Sequence, residues 1–320
     1  MNYIELSELP VVLRDYIVYL QTIKSRSNAT VNEYYSDLRT FFRFLKLKRH
    51  MVDNDTDFEK ISILDIDLDF IKTITLTDAH EFLVFCKTDR DNTEKTRARK
   101  CSALRSFFNY LTNKTQLLET NPILQLEMPK SKKSLPKYLT LDQSLEMLNG
   151  VDGDHKERDF CILTLFLNCG FRLSELCGLN INDIRSDNTI RVLGKGNKER
   201  FVPLPDITLK LLRLYWTQNK DKINEYLFPG AFRKTKHTHI NSVTIMEAFQ
   251  KIKENNNLDN SITFHTLRHS FATEYIKSGG NVWELRSLLG HASINSTMVY
   301  LHMAEDFSKV SSPLDGVHNV

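Results

Sequence analysis

Phe264-His-Thr-Leu-Arg-His-Ser-Phe-Ala-Thr273 and Leu288-Leu-Gly-His-Ala-Ser-Ile-Asn-Ser-Thr-Met-Val-Tyr-Leu-His302 are the stretches on which the reading of this chain turns. His265 and Arg268 stand three apart, so one helical face presents both. His291 follows Gly290 at a helix end, and Tyr300 comes nine residues later. Upstream, Asn168-Cys-Gly-Phe-Arg-Leu-Ser-Glu-Leu-Cys-Gly-Leu179 sets Arg172 after a glycine and ahead of a helical run. Between these segments, Gly194-Lys-Gly-Asn-Lys-Glu199 joins two strand-like runs, residues 189–193 and 200–204. Its glycines supply the positive-φ positions of a hairpin with Lys195 at the tip. The chemistry of these residue types converges. Two arginines give paired hydrogen bonds to the non-bridging oxygens of a phosphate. A hairpin lysine reaches a leaving oxygen, and two histidines move protons near neutral pH. A tyrosine serves as nucleophile and forms a covalent intermediate. The set describes metal-free transfer of a phosphodiester to tyrosine.

The rest of the chain sets the frame. It has 320 residues, with 43 Lys+Arg against 40 Asp+Glu, a net charge of +3. Hydrophobic residues at 41% and charged residues at 26% fit a soluble globular protein rather than a disordered one. The longest nearly apolar run, residues 160–169, is far too short for a membrane span. The N-terminus lacks the basic-then-apolar layout of a signal peptide, so the expected setting is the cytoplasm. The five cysteines are odd in number and contain no C-x-x-C pair, which fits reduced thiols, and the apolar context of Cys161, Cys169 and Cys177 fits packing. A charge of +3 does not by itself announce a nucleic-acid binder.

Residues 129–138, with two prolines and four lysines in and around them, read as a linker between an N-terminal part, 1–128, and a C-terminal part, 139–320. The first part reads as helical. Helices are expected over 11–22, from Thr30 with Glu33 closing a capping box, over 77–86 with Thr77 or Asp78 as cap, and over 93–111. Residues 51–70 carry seven acids against Lys60 and read as a solvated surface insertion. The 93–111 helix carries Lys95, Arg97, Arg99, Lys100 and Arg105, a cluster suited to a phosphate backbone. The second part reads as helices over 141–148, 160–169, 174–179, 209–219, 241–256, 265–278, 282–289 and 293–300 around the one hairpin.

At these motifs the chain resembles the tyrosine recombinases, the phage-integrase-type site-specific recombinases. Gly-Phe-Arg172-Leu-Ser-Glu175-Leu is similar to the family's first arginine box, and His265-x-x-Arg268-His-Ser-Phe-Ala-Thr to its second. Leu-Leu-Gly-His291 with Tyr300 matches the end of that box, and the Lys195 hairpin matches its lysine turn. Ser27-Asn-Ala-Thr-Val-Asn-Glu-Tyr-Tyr-Ser-Asp-Leu is similar to the family's core-binding domain, and the layout looks closest to the Xer-like, simple-integrase branch. The resemblance implies a mainly α chain with a small β-sheet: a SAM-like helical core-binding domain that clamps DNA, then an α+β catalytic domain. It implies that Tyr300 attacks the scissile phosphate to give a 3′-phosphotyrosyl link, with His265 the first candidate to accept its proton. Arg172 and Arg268 stabilise the phosphoryl oxygens, Lys195 protonates the departing 5′-oxygen, His291 bonds a non-bridging oxygen, and Glu175 orients the arginine or a histidine. His269 is read as packing or capping. No metal, ATP or other cofactor is expected.

The implied partner is a double-stranded DNA recombination site, met by a cyclic tetramer, with a second recombinase or accessory protein left open and no membrane. Met303, Phe307 and Val310 recur at helical spacing, and the resemblance implies a tail helix that docks into a neighbouring protomer. Candidate DNA contacts are Arg97, Arg99, Lys100, Arg105, Lys132, Lys133, Arg233, Lys234 and Lys236. A type IB topoisomerase and a catalytically silent DNA-binding factor are the alternatives. A zinc site on His265, His269 and His291 is disfavoured, because Arg268 lies beside it and the H-E-x-x-H glutamate is missing.

Overall fold

The computed structural model describes residues 9–53, 55–129, 135–194, 198–219, 225–230 and 238–304. The chain divides into two compact units, Met1–Lys133 and Ser134–Val320, and each is considered by itself. Lys132, Lys133, Lys195, Arg233, Lys234, Lys236 and the tail from 305 lie outside the described residues.

The first unit is built from α1 (Val11–Thr22), α2 (Asn28–Lys48), the short α3 (Leu68–Lys72), α4 (Leu76–Thr88) and α5 (Glu94–Asn113). Helices α2 to α5 each begin where a side chain accepts a free backbone N–H, whereas α1 starts after Pro10 without a side-chain cap. Ser27, rather than Thr30, caps α2 by accepting from the Thr30 amide, so the expected Glu33 box does not form. Thr75 caps α4 with Asp78 in a reciprocal capping box, two residues ahead of the expected start. The apolar faces meet in an aromatic core: Phe41, Phe42, Phe82, Phe107 and Phe108 are fully buried, with Phe41 and Phe82 edge-to-face at 5.1 Å.

The acidic stretch differs from its expected solvated form. Between its acids, Ile61, Ile63 and Ile66 are buried, and the first unit's core takes in the last two. The acids on the other face meet cations of α2. Buried Arg43 bonds Glu59 at 2.7 Å and the Ile61 carbonyl at 2.9 Å, and buried Lys46 bonds Asp65 at 2.7 Å. Burial takes these two cations out of water, and Glu59 and Asp65 of the insertion neutralise them there.

A similar pair corrects one of the expected DNA contacts. The Lys100 ammonium is buried and held by Asp37 at 3.0 Å, so it is not presented to a phosphate. Arg99 also engages Asp37, at 2.5 Å, whereas Lys95 and Arg105 stand exposed and Arg97 is half-buried with one bond to the Asn92 carbonyl.

The second unit contains α6 (Leu141–Asn149), α7 (Lys156–Cys169), α8 (Leu173–Cys177), β1 (Thr189–Leu193), β2 (Glu199–Pro203), α9 (Asp206–Gln218), α10 (Ser242–Asn255), α11 (Phe264–Lys277), α12 (Val282–Leu289) and α13 (Asn295–Ala304). The two strands form an antiparallel hairpin in which Ile190 pairs with Val202 and Leu193 with Glu199. Pro203 ends its strand, where no ladder donor is required. Helices α7 and α11 run through the core, where Phe264 lies between Phe166 and Phe249, each ring pair at 4.6 Å. All five cysteines are buried, and burial pushes the Cys86 and Cys177 thiols up to about 11. That suits the packing role expected of Cys161, Cys169 and Cys177, and Cys86 and Cys101 are buried in the same way.

The Asp37–Lys100 pair gives a stability prediction. Asp37→Ala strands a buried ammonium and is expected to cost about 3–5 kcal/mol in urea unfolding of the full chain. Adding Lys100→Met is expected to recover most of that loss. Equal midpoints for the Asp37→Ala variant and the parent would refute the structural role of the pair.

Candidate active site

Two left-handed glycines shape the site. Gly170 ends α7 at φ 62° and turns the chain so that Arg172 starts α8. A Cβ at Gly170 would lie 2.4 Å from the Phe271 ring, so both the backbone angle and the space call for glycine. Gly290 ends α12 with the same φ, and a Cβ there would sit 3.1 Å from Arg200 Cδ.

Three arginines converge on the end of α12. Arg200 Nε donates to the Leu288 carbonyl at 2.7 Å, Arg268 Nη2 to the Leu289 carbonyl at 2.5 Å, and Arg172 Nη2 to the Gly290 carbonyl at 3.4 Å. The last carbonyls of a helix have no partner within it and carry partial negative charge, so guanidinium donors suit them. Arg268 Nη1 also donates to the Gly170 carbonyl at 2.6 Å, which ties α11 to the turn before Arg172.

Glu175 lies among the three. Its carboxylate accepts from Arg172 Nη1 at 2.7 Å and from both terminal nitrogens of Arg200 at 2.7 and 2.8 Å, and Arg268 Nη1 is 3.9 Å away. A fourth bond comes from the Arg172 backbone amide at 2.8 Å. Burial by itself would raise this carboxyl, but the bonds from Arg200 and Arg172 bring it down to about 2. Arg268 is lowered to about 10, by burial first and then by the neighbouring Arg172 charge. Three cations thus face one carboxylate, and an anion is the missing complement.

Beside this cluster stands Tyr300. It is 2% exposed and packs with Ala272, Leu285 and Leu289. Its ring stacks on His291 with centroids 6.5 Å apart and planes at 17°. Its hydroxyl lies 2.7 Å from His269 Nδ1. Burial raises the phenol pKa, against a lowering pull from Arg268 and Arg172. His291 Nδ1 is 3.0 Å from the buried Thr297 hydroxyl. His265 lies on the first turn of α11 and is exposed.

The structure therefore brings Arg172, Glu175, Arg268, His291 and Tyr300 together as expected from the sequence, with His265 on the same helix as Arg268. Two residues outside the expected set join them. Arg200 was legible only as the first residue of the second strand-like run, which gave no reason to turn it inward. His269 is at the tyrosine hydroxyl rather than in mere packing, and its i, i+4 relation to His265 was the available signal. The hairpin that bears Lys195 closes through a bond from the Gly194 amide to the Lys198 carbonyl at 2.8 Å, and Arg200 anchors its second strand to Glu175.

Burial lowers both His269 and His291 to about 4, helped by His265 and Arg268 for the first and by Arg268 and Arg172 for the second. Their folded-state values lie below the ordinary 6.5, so between about pH 6.5 and 4 the unfolded chain binds protons that the folded chain refuses. Stability present above pH 6.5 is therefore lost as pH falls through that window. Urea midpoints measured from pH 7 to 4.5 are expected to drop, and His291→Asn is expected to remove up to about one proton of that dependence. An unchanged slope in the variant would contradict the assignment.

Comparison with known proteins agrees with this arrangement. The model of the phage integrase family matches residues 137–306. A tyrosine recombinase XerC of Caldanaerobacter subterraneus subsp. tengcongensis is 38% identical over 306 residues, covering 95% of this chain and 86% of that protein. A tyrosine recombinase XerD of Listeria innocua is 29% identical, covering 92% of this chain and 94% of that protein. Among solved structures, the XerH site-specific recombinase bound to its difH substrate in a pre-cleavage complex superposes with a TM-score of 0.67 at 21% identity, covering 97% of this chain and 98% of that one. A lambda integrase dimer bound to a COC′ core site gives 0.66 at 17% identity, covering 97% and 82%. Those two likenesses speak for the fold, and the family model and the sequence relatives carry the assignment: the chain belongs to the phage integrase family, the tyrosine recombinases.

Proposed function

We propose that this chain is a site-specific DNA recombinase that cuts and rejoins strands through a 3′-phosphotyrosyl link on Tyr300. The observation that carries the reading is the excess of positive charge beside a buried tyrosine: Arg172, Arg200 and Arg268 share the single carboxylate of Glu175. A phosphodiester is the anion this arrangement suits, because its transition state gathers charge on the non-bridging oxygens. Arg172 and Arg268 take that charge, His291 bonds a non-bridging oxygen, and Lys195 protonates the departing 5′-oxygen. The bond energy stays in the tyrosyl ester, so a second 5′-hydroxyl rejoins the strand without ATP.

The first unit clamps the duplex through the exposed side of α5, with Lys95, Arg97, Arg99 and Arg105. On paired sites the protein works as a cyclic tetramer, and the tail beyond residue 304 seats on a neighbouring copy. An open apolar groove of about 570 Å³ between α6, α7, α9 and α11 supports this, with Leu141, Leu145, Leu148, Leu211, Leu214 and Phe271 along it. A closed ring of such head-to-tail contacts fits a cyclic assembly.

Two experiments test the reading. Nicked duplexes with a randomised core, incubated with the protein and denatured, are expected to yield covalent adducts whose DNA converges on one site. Tyr300→Phe is expected to yield none, and adducts from that variant would remove Tyr300 from its role. On DNA carrying two recovered sites, Leu145→Glu or removal of residues 305–320 is expected to weaken cooperative assembly at least about tenfold; unchanged assembly in both would refute the tail exchange.

A further inference from the structure

The proton on the Tyr300 hydroxyl needs an acceptor, and the question rests on the reading of Tyr300 as nucleophile. A phenol with an ordinary pKa of about 10, raised further by burial, does not ionise unaided at neutral pH. His265 was the first candidate in the sequence, yet the group in contact with the hydroxyl is His269, whose Nδ1 is 2.7 Å from it. That distance is a short hydrogen bond, within reach for proton transfer.

The placement follows from the helix. His265 and His269 lie one turn apart on the same face of α11, the first exposed and the second half-buried against Tyr300. Arg268, between them, points to the carbonyls of Gly170 and Leu289 and to the Glu175 cluster. Consecutive residues of one helix therefore offer a guanidinium to the phosphate and an imidazole to the nucleophile.

The charge state also fits. With Arg268 and His265 nearby and the ring half-buried, the imidazole is neutral. A neutral imidazole with its proton on Nε2 leaves a lone pair on Nδ1, to which the Tyr300 hydroxyl can donate. This is the tautomer that suits a base.

We propose that His269 is a catalytic residue, the group that holds the Tyr300 hydroxyl and accepts its proton during strand cleavage. As Tyr300 Oη bonds to phosphorus, the bond from phosphorus to the 5′-oxygen breaks. The phenolic proton passes to His269 Nδ1, and the 5′-oxygen leaves with a proton from the general acid, assigned above to Lys195. On rejoining, a 5′-hydroxyl attacks, the tyrosyl oxygen leaves, and His269 returns the proton to it. No electrons are gained or lost. A weak base suffices, because the hydroxyl proton becomes strongly acidic once its oxygen begins to bond phosphorus. The incoming phosphodiester also offsets the charge that His269 acquires. His265, at the exposed end of the same face, is then left for the phosphate.

The test uses the full chain and a duplex carrying the site recovered from the adducts, with either an ordinary phosphodiester or a 5′-bridging phosphorothiolate at the scissile bond. Cleavage is followed in single turnovers at saturating DNA. His269→Ala is expected to slow cleavage on the order of 10²-fold at unchanged DNA affinity. His269→Asn keeps an acceptor near Nδ1 but takes up no proton, and is expected to lie at least about tenfold below the parent. Neither is expected to be rescued by the phosphorothiolate, whose sulfur leaves without a proton and relieves only a leaving-group defect. Cleavage by His269→Asn at the parent rate, or full rescue of either variant by the phosphorothiolate, would overturn the proposal. If the parent forms adducts and Tyr300→Phe does not, such a result counts against His269 alone. A parent that forms no adduct would overturn the reading of Tyr300 and this inference with it.

Discussion

The site depends on how three guanidiniums are kept close together. Like charges in a buried pocket repel, and the pKa of Arg268 is lowered by burial first and by the Arg172 charge after it. Two features offset it. Glu175 accepts from Arg172 and Arg200, and the last carbonyls of α12 accept from all three arginines. Neither set leaves the arginines fully neutralised. A protein that merely needed stability would gain more from an apolar core at this position than from buried charges. The excess charge makes sense as a preformed receptor for an anion, already oriented before the anion arrives.

This arrangement explains why much of the site was readable from the sequence and part was not. Arg268 and Tyr300 lie inside α11 and α13 and were legible through their motifs, whereas Arg172, Glu175 and His291 fall next to glycines and helix starts, where local sequence dictates direction. The φ of 62° at Gly170 and Gly290 is local information of that kind. Arg200 is different. A strand residue faces one side or the other according to register, and what Arg200 meets, Glu175 and Leu288, lies 25 and 88 residues away. His269 is different again, because its partner is 31 residues on in another helix. The helix spans were legible to within about four residues, except for α3, which begins in the stretch read as a solvated insertion. Ser27 and Thr75 prevail over Thr30 and Thr77 because each reaches the amide three residues ahead.

The same logic applies to charge. A net +3 from the sequence treats all cations as equivalent. In the fold, Arg43, Lys46 and Lys100 are buried against Glu59, Asp65 and Asp37, so they stabilise the first unit and are closed to a ligand. The acidic insertion reads as repellent to phosphate only if its acids are taken as free, and two of them neutralise α2. Its isoleucines were masked by the acids around them. What a nucleic acid would meet is the smaller set of cations left exposed, together with the unbalanced arginines of the second unit.

One residue joins the two halves of the chemistry. The Leu289 carbonyl accepts from Arg268, and the Leu289 side chain packs in the same cluster as Tyr300. The guanidinium that would hold the phosphate and the ring that would attack it are thus set by one backbone position at the end of α12. Gly290 follows at once and sends the chain to His291, which stacks on Tyr300. A shift of α12 would move the carbonyls under the arginines and the wall of the tyrosine pocket together. On the proposed reading, phosphate binding at Arg268 would be tied mechanically to where Tyr300 lies, and the attacking oxygen would be positioned by the same helix end that positions its target.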